Sequence, residues 1–336
     1  MSRKPWIFGI GNPLADILVE VTDEELKQLG LHKGTMHLID KTRHDELISF
    51  AQEREASYLC GGSCPNTVIA LASFGVPGAL AGSIGKDQNG NIYRTTLARH
   101  AVTDALKVCG DPTGTSIILV TPDCERTMNT FLGANRKFSP EDVDSTLLEA
   151  SKVFHFTGYM WDTENQKQAV LRALNISHAC KLLVSFDIAD PFAVSRNREA
   201  FLKIISQHAD IVFANIEEAR ILFDRYDASA CAEKMGQLCS TAIVKHGKHG
   251  SYISHNGKTE HIPPFTAVSV DTTGAGDMYA AGFLLGLYTG ASCYESGRCA
   301  SYLAGRIVQK QGAQFTPDEA VQMHRNLGKL GLLTQE

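Results

Sequence analysis

The sequence predicts a doubly wound α/β fold, in which helices flank a mostly parallel sheet, together with a small β-sheet that forms a lid. Along the 336 residues, short apolar runs alternate with longer segments of helical periodicity. Several runs are apolar on both faces, as expected for buried parallel strands. Residues 13–40 and 112–134 look extended and lack clear crossover helices, so we expect them to form the lid. Residues 1–12, 41–111 and 135–336 then form the large α/β domain.

The predicted strands are short apolar segments, and most of them precede a segment with helical periodicity. They are Ile7–Gly11, Ser116–Thr121, Val153–Phe156, Leu182–Asp187, Asp210–Ala214, Ala242–Lys245 and Ser251–Ser254.

The predicted helices begin and end at residues with a local physical role. Ser139 offers an N-cap before a proline and two acidic residues. Thr316 and Glu319 form the pattern of a capping box, and Gly75 can end a helix in the left-handed conformation. The helices are expected near Asn66–Phe74, Asn89–Arg99, Pro140–Ala150, Glu164–Ala179, Arg198–His208, Ile216–Phe223, Ala228–Leu238, Ala275–Leu287, Cys293–Val308 and Pro317–Leu327.

The composition excludes several classes of protein. A hydrophobic content of 43% excludes a disordered chain, and a net charge of −5 argues against general nucleic-acid binding. No apolar run approaches the roughly 20 residues that span a bilayer, so we expect a cytoplasmic protein without membrane contact. The nine cysteines form no CxxC pair and are interpreted as reduced thiols. No metal ligand is assigned among the twelve histidines.

The most informative motif is the glycine-rich turn Asp271-Thr-Thr-Gly-Ala-Gly-Asp277, which precedes an apolar helix. The unpaired amides and the dipole of a helix N-terminus favour an anion, and glycine lets a phosphate approach the backbone. Asp277 would repel a phosphate that is merely bound. A carboxylate at this position is explained if it accepts a proton from a hydroxyl group that attacks phosphorus. The alternative is a glycine loop with an Asp helix cap.

Two further glycine clusters lie in the first 66 residues. Gly61-Gly62-Ser63 leads to Asn66 and a helix, and its polar groups can hold a polyhydroxy ligand, unless it is only a tight turn. In the extended segment after Gly11, the residues Asn12, Leu14 and Asp16 share one face. A carboxylate on that face can accept hydrogen bonds from two vicinal hydroxyls, whereas an Asx-turn is the structural alternative.

The three clusters, in this order, resemble the signatures of the ribokinase-like (pfkB-type) family of ATP-dependent carbohydrate and nucleoside kinases. The likeness covers nearly the whole chain. Residues 271–277 resemble the C-terminal signature, residues 61–66 the N-terminal signature, and residues 215–218 the NxxE motif. Within the family the adenosine kinases are most similar, because of residues 11–17, 112–115, 126–135 and 190–192.

The resemblance implies that the chain transfers the γ-phosphoryl group of ATP, with Mg²⁺, to the 5′-hydroxyl of adenosine, giving AMP. Asp277 would be the general base, and the amides of Gly274, Ala275 and Gly276 would form the anion hole. Arg126, from the lid, would neutralise phosphate charge as the lid closes over the large nucleotide-binding domain.

The resemblance also implies the residues that bind each ligand. Ribose would contact Asn12, Asp16, Gly62, Ser63 and Asn66. The base would lie among Leu14, Met36, Leu38, Phe131, Leu132, Tyr159 and Met160. ATP would contact Asn215, Lys245, Gly247, Val268, Asp271 and Thr273. Asn215 and Glu218 would order magnesium through water, and the family pattern allows a potassium ion near Asp271 and Thr273.

Met160 is softer than an aromatic ring and selects the base less strictly. The alternative substrates are another nucleoside (inosine, guanosine or cytidine) or a sugar (ribose or fructose). A non-catalytic nucleoside-binding protein is the remote alternative, against which the intact 274–277 motif argues. Both a monomer and a homodimer formed through the lid agree with the sequence.

Overall fold

A computed structural model describes residues 4–123 and 125–333. In this part of the chain the strands form two sheets. The strands are β1 (Ile7–Ile10), β2 (Leu14–Glu20), β3 (Met36–Leu38), β4 (Ala56–Gly61), β5 (Gly78–Gly85), β6 (Thr103–Cys109), β7 (Gly114–Val120), β8 (Arg126–Phe131), β9 (Val153–Thr157), β10 (Leu183–Asp187), β11 (Ile211–Asn215), β12 (Thr241–Lys245), β13 (Ser251–His255) and β14 (Lys258–Ile262).

The α-helices of the described residues lie mainly against the larger sheet. They are α1 (Asp23–Gln28), α2 (Lys41–Gln52), α3 (Ser63–Ser73), α4 (Gln88–Arg99), α5 (Ser145–Glu149), α6 (Glu164–Cys180), α7 (Pro191–Gln207), α8 (Ile216–Phe223), α9 (Ala228–Gly236), α10 (Ala275–Tyr288), α11 (Cys293–Ile307) and α12 (Pro317–Lys329). None of these helices combines the length and the apolar character that crossing a membrane requires.

The larger sheet has nine strands in the order β14-β13-β12-β11-β10-β9-β1-β5-β6. The strands from β12 to β6 are parallel, and β13 and β14 extend the sheet as antiparallel strands. Its two faces carry separate apolar cores, one around α3, α10 and α11 and one around α6 and α7. This arrangement confirms the predicted doubly wound fold.

The small sheet has five strands in the order β3-β8-β7-β2-β4. One face packs against α1 and α2 through Ile17, Val19 and Leu47, which are almost fully buried. Of residues 41–111, which were expected in the large domain, the structure places residues 41–61 with the small sheet. Strand β4 pairs with β2, and α2 covers the small sheet, so this sheet also uses residues 41–61. The pairing is long-range, and periodicity along the chain does not reveal it.

Strand β5 was missed by the sequence analysis because its sequence, GALAGSIG, has a low intrinsic β propensity. Every one of its residues is buried, since it lies between β1 and β6. The predicted capping box at Thr316 is present, Ser139 is the N-cap of a short 3-10 turn at Pro140–Asp142, and Gly75 has a φ of +86° after α3.

Candidate active site

A cavity of about 950 Å³ lies between the small sheet and the carboxyl ends of the large sheet's parallel strands. Asn12 follows β1, and Asp187, Asn215 and Lys245 end three neighbouring strands, β10, β11 and β12. The carboxyl ends of parallel strands lie at one edge, which is where doubly wound folds bind ligands. The topology therefore brings these polar side chains together.

The glycine-rich turn forms the N-terminus of α10 at one wall of the cavity. Gly274 is the N-cap with a φ of +71°, and a Cβ at this position would lie 2.3 Å from the Cβ of Ala313. Only glycine fits this backbone and this close approach. The amide of Ala275 donates to the carbonyl of Thr272 at 3.2 Å. The amides of Gly274, Gly276 and Asp277 have no acceptor within the described residues and are free to bind an anion, whereas the Ala275 amide already has a partner.

Asp277 lies where the N-termini of α10 and α3 meet. Its Oδ1 accepts a hydrogen bond from the Ser63 hydroxyl at 2.6 Å, and its Oδ2 accepts one from the Asn66 amide at 2.9 Å. Burial raises the pKa of Asp277 to about 6, although both hydrogen bonds lower it. A carboxylate with a pKa close to neutrality can take up a proton during a reaction and release it afterwards.

Asp16 projects into the cavity from β2 and lies directly over Gly61. A Cβ on Gly61 would lie 2.1 Å from Asp16 Oδ2, so only glycine leaves room for this carboxylate. Burial, and then the negative charge of Asp277, raise the pKa of Asp16 to about 7, while Arg126 lowers it. Asp16, Ser116 and Thr130 are register partners on adjacent strands, so their side chains form one polar row. The hydroxyls of Ser116 and Thr130 lie 3.3 Å apart.

An apolar row lies beside this polar row on the same face of the small sheet. Ile118, Met128 and Met36 are register partners on β7, β8 and β3, two residues along each strand from the polar row. Leu14, Leu38, Leu132 and Tyr159 also line the cavity. This region can cover a flat apolar group of a ligand.

Arg126 connects the small sheet to the glycine-rich turn. Its guanidinium forms an ion pair with the Asp271 carboxylate and a hydrogen bond with the Thr273 hydroxyl. Asp271 also accepts hydrogen bonds from the amides of Thr273 and Gly312, both at 2.8 Å. The guanidinium therefore occupies both side chains, so these side chains are not free to bind the potassium ion that the sequence suggested.

A second group of charged side chains lies beyond the glycine-rich turn. Lys245 Nζ is 3.0 Å from Asp187 Oδ2 and 3.2 Å from the position of a Cβ on Gly276. Burial disfavours the charged form, but Asp187 and Glu218 outweigh it and raise the pKa of Lys245. Asn215 and Glu218 form a reciprocal capping box that begins α8. Burial raises the pKa of Glu218 to about 8.

The chain matches the pfkB family carbohydrate kinase model over residues 35–320. The chain belongs to this family. Among solved structures, the adenosine kinase from Sinorhizobium meliloti is 34% identical with a TM-score of 0.90, over 96% of this chain and 100% of that one. A probable sugar kinase from Rhizobium etli is 32% identical with a TM-score of 0.91, over 99% of this chain and 100% of that one. The ATP-dependent ribose-1-phosphate kinase of Halopiger xanaduensis is 30% identical, over 76% of this chain and 83% of that protein.

This pfkB family member is therefore a phosphotransferase that uses an alcohol group as the acceptor. Its relatives include both nucleoside kinases and sugar kinases, all of which act on small molecules. The family implies ATP as the phosphoryl donor.

Most of the site residues that the sequence predicted for this pfkB kinase line this same cavity. Those that contact it are Asn12, Leu14, Asp16, Met36, Leu38, Gly62, Ser63, Asn66, Arg126, Leu132, Tyr159, Asn215, Glu218, Lys245, Gly247, Thr273, Gly274, Ala275, Gly276 and Asp277.

Four predicted residues lie elsewhere. Phe131 is on the opposite face of the small sheet from Thr130, and its ring packs at a tilt against His44 with centroids 4.5 Å apart. Met160 is fully buried in the core around α6. Both are wrong as base-binding residues. The side chain of Val268 is 82% exposed, and Asp271 is buried beneath the turn, so neither lines the cavity that would bind ATP.

Asp187, Ser116 and Thr130 also line the cavity and were not predicted from the sequence. Asp187 ends a predicted strand, and a search for carboxylates at strand ends would have found it. The other two become visible only when strands β2, β7 and β8 are placed in register, which a single sequence does not show.

Proposed function

We propose that this kinase phosphorylates the 5′-hydroxyl of adenosine with ATP to give AMP and ADP. The observation that supports this most directly is the position of Asp277, a buried carboxylate at the N-terminus of α10, beside free backbone amides. It combines a proton acceptor with an anion hole at one point of the cavity.

In the reaction, the acceptor oxygen attacks the γ-phosphorus of ATP, and the bond to the β-phosphate oxygen breaks. The hydroxyl proton goes to Asp277, and ADP leaves with the electron pair of the broken bond. The free amides of Gly274 and Gly276 stabilise the charge on the transferred group, and the Lys245 ammonium lies beside them. Ser63 and Asn66 hold the carboxylate so that it faces the acceptor.

ATP and Mg²⁺ fit the part of the cavity that runs from the 274–277 turn toward Asn215, Lys245 and Gly247. Within the described residues, no group of three or more His, Cys, Asp or Glu side chains could hold a metal ion. Magnesium in kinases is typically bound by few carboxylates, with phosphates and water as the remaining ligands. Asp187, Asn215 and Glu218 would hold it, partly through water. The ion supplies charge neutralisation at the phosphates when bound.

The small sheet supports a nucleoside as the acceptor. Asp16 can accept hydrogen bonds from a ribose diol, and the apolar row around Ile118 and Met128 can cover a base. The cationic side chain on this side of the described cavity, Arg126, is already paired with Asp271. An acceptor that carries its own phosphate would find no free cation there, which argues against a sugar phosphate as the substrate.

An acceptor panel tests the proposal. ATP-dependent phosphorylation is measured with adenosine, inosine, guanosine, cytidine, ribose, fructose and fructose phosphate, each with Mg²⁺. The expected result is the highest kcat/KM with adenosine. A higher kcat/KM with a free sugar or with another nucleoside would show that this compound, and not adenosine, is the preferred acceptor. Tight adenosine binding without transfer to any acceptor would indicate a non-catalytic binding protein.

A further inference from the structure

Gln314 contacts the active site from a part of the chain that carries no recognised motif. It lies in the loop between α11 and α12, and its Nε2 is 3.0 Å from Asn66 Oδ1. The same nitrogen is 3.1 Å from the backbone carbonyl of Cys60, which directly precedes the Gly61-Gly62 turn. The side chain therefore joins two segments that lie beside Asp277 and Asp16.

The hydrogen-bonding capacity of these groups permits one orientation when Asp277 is ionised. A carboxylate only accepts hydrogen bonds, so Asn66 must present its amide nitrogen to Asp277. The Asn66 oxygen then faces Gln314, which must present its own amide nitrogen. The Cys60 carbonyl accepts from the same nitrogen and prevents Gln314 from rotating. The chain of donors runs from Gln314 through Asn66 to Asp277.

The loop around Gln314 is packed against the glycine-rich turn as well. The amide of Gly312 donates to Asp271 Oδ2 at 2.8 Å, and Ala313 lies against Gly274, where it leaves no room for a Cβ. Gly312 thus contacts Asp271, Ala313 contacts Gly274, and Gln314 contacts Asn66. Gln314 is placed by this packing, so its contact with Asn66 does not depend on a flexible surface side chain.

We propose that Gln314 is a positioning residue for the phosphoryl transfer, which acts through Asn66 to orient the carboxylate of Asp277. This inference rests on the proposed role of Asp277 as the general base. Gln314 does not contact the acceptor or ATP in this scheme. It determines which end of the Asn66 amide faces the Asp277 carboxylate, and it holds the turn that precedes Ser63.

The kinetic experiment compares Gln314→Leu and Gln314→Glu with the control Gln311→Leu. The leucine variant removes the donor, and the glutamate variant keeps the shape but replaces the donor by an acceptor. Gln311 is exposed in the same loop and makes no hydrogen bond within the described residues. We expect both Gln314 variants to lower kcat about 10-fold, with KM for ATP unchanged, and Gln311→Leu to keep wild-type kcat.

A double-mutant cycle with Asn66→Ala separates positioning from general damage. If Gln314 acts through Asn66, then Gln314→Leu lowers kcat less than about two-fold in the Asn66→Ala background. An equal loss in both backgrounds would overturn the proposal, as would wild-type kcat in both Gln314 variants.

A measurement that does not need activity distinguishes this inference from the proposed function. The carboxyl carbon of Asp277 is titrated by NMR in the protein without ligands. Loss of the donated hydrogen bond should raise the pKa of Asp277 in Gln314→Leu, because that bond lowers it in the wild type. The other titratable groups that interact with Asp277 are Asp16, Cys64, Tyr159, Asp187 and Lys245, and none is altered.

The outcomes of the titration and of the acceptor panel are independent. A raised pKa in Gln314→Leu, with no shift in Gln311→Leu, supports the positioning role even if no acceptor is phosphorylated, in which case only the proposed reaction fails. An unchanged pKa of Asp277 in both Gln314 variants would overturn the positioning role whatever the enzyme phosphorylates.

Discussion

The guanidinium of Arg126 forms an ion pair with the carboxylate of Asp271, and this contact joins the small sheet to the turn that begins α10. The two side chains are only 13% and 1% exposed, so the pair lies largely out of water. Charges buried in this way are costly to leave unpaired. The position of the small sheet is therefore coupled to the geometry of the residues that surround Asp277.

Replacement of Arg126 by alanine should reduce both stability and catalysis. Asp271 would keep its two amide donors but lose its counter-charge, which we expect to lower the free energy of unfolding by about 3 kcal/mol. Urea unfolding and kcat/KM measure the two effects. Adding Asp271→Asn should restore part of the stability but not the activity, and Arg325→Ala, at an exposed position on α12, is the control. Full stability in Arg126→Ala would contradict the importance of the ion pair.

Replacement of Asp277 by asparagine should lower kcat by a factor of about 10² to 10⁴, because the amide cannot accept the proton. Binding of adenosine and ATP should persist, since the anion hole is made of backbone amides. Calorimetry measures binding, and single-turnover phosphorylation measures the rate. Asp318→Asn, on the exposed first turn of α12, should behave like the wild type. Normal turnover in Asp277→Asn would exclude the general-base role.

The value of kcat/KM should rise with pH on the acidic side of its pH profile. Asp277 acts in its ionised form, and burial raises its pKa to about 6, so activity falls as the pH drops below that value. Asp16, with a pKa of about 7, should contribute to the same limb. Asp16→Asn removes a neighbouring negative charge and should move the remaining limb to lower pH. A profile that is flat between pH 5 and 8 would contradict the assignment.

Replacement of Asp16 by alanine should weaken adenosine binding about 100-fold, which corresponds to roughly 3 kcal/mol for hydrogen bonds to a charged group. Binding of ATP should be unaffected, because Asp16 lies on the small sheet, whereas Lys245 ends a strand of the large sheet. Glu20→Ala, at the exposed end of the same strand, is the matched control. Unchanged adenosine affinity in Asp16→Ala would place the diol site elsewhere.

The buried carboxylate of Asp16 should also destabilise the folded protein at neutral pH. Its pKa in the folded protein is about 7, above the ordinary value of 3.8, so the folded state loses stability as the pH rises from about 4 to 7. Asp16→Asn should therefore leave stability nearly unchanged near pH 4 and raise it by roughly 4 kcal/mol at pH 8, at about 1.4 kcal/mol per pKa unit. Urea unfolding at both pH values measures this difference. An equal effect at both would show that the gain does not come from ionisation.

Ser116 and Thr130 should tune the selection of the acceptor. Their paired hydroxyls continue the polar row from Asp16, so they can hydrogen-bond a polar edge of the ligand. Ser116→Ala and Thr130→Val should each raise KM for adenosine about 3- to 10-fold, as expected for a neutral hydrogen bond. KM for ATP should stay constant, and Ser57→Ala, exposed on β4, is the control. A wild-type KM in both variants would exclude these hydroxyls from recognition.

Features that depend on neighbours in the chain were predicted well. The turn at 271–277, the capping box at Thr316 and the alternation of Asp16 with Ile17 all follow from contacts within a few residues. Such contacts need only local backbone geometry, which residue types largely determine.

Features that depend on pairing between distant segments were not predicted. Strand β5 has weak propensity and is a strand because β1 and β6 flank it. Phe131 looked suitable for the base pocket, but its neighbour Thr130 faces the cavity, so Phe131 faces away. Met160 was assigned to the same pocket and is part of the core instead.

The sequence by itself therefore determined the fold class, the family signatures and the glycine-rich turn at 271–277, because their residue types act over short distances along the chain. Only the tertiary structure added Asp187, Ser116 and Thr130 to the cavity that contains Asp277 and placed Phe131 and Met160 outside it. Gln314 is 248 residues from Asn66 and contacts it because the loop after α11 packs on the turn of α10. The register of the small sheet and the burial of charges arise from packing between segments far apart in sequence, and these two properties determine the chemistry of the site.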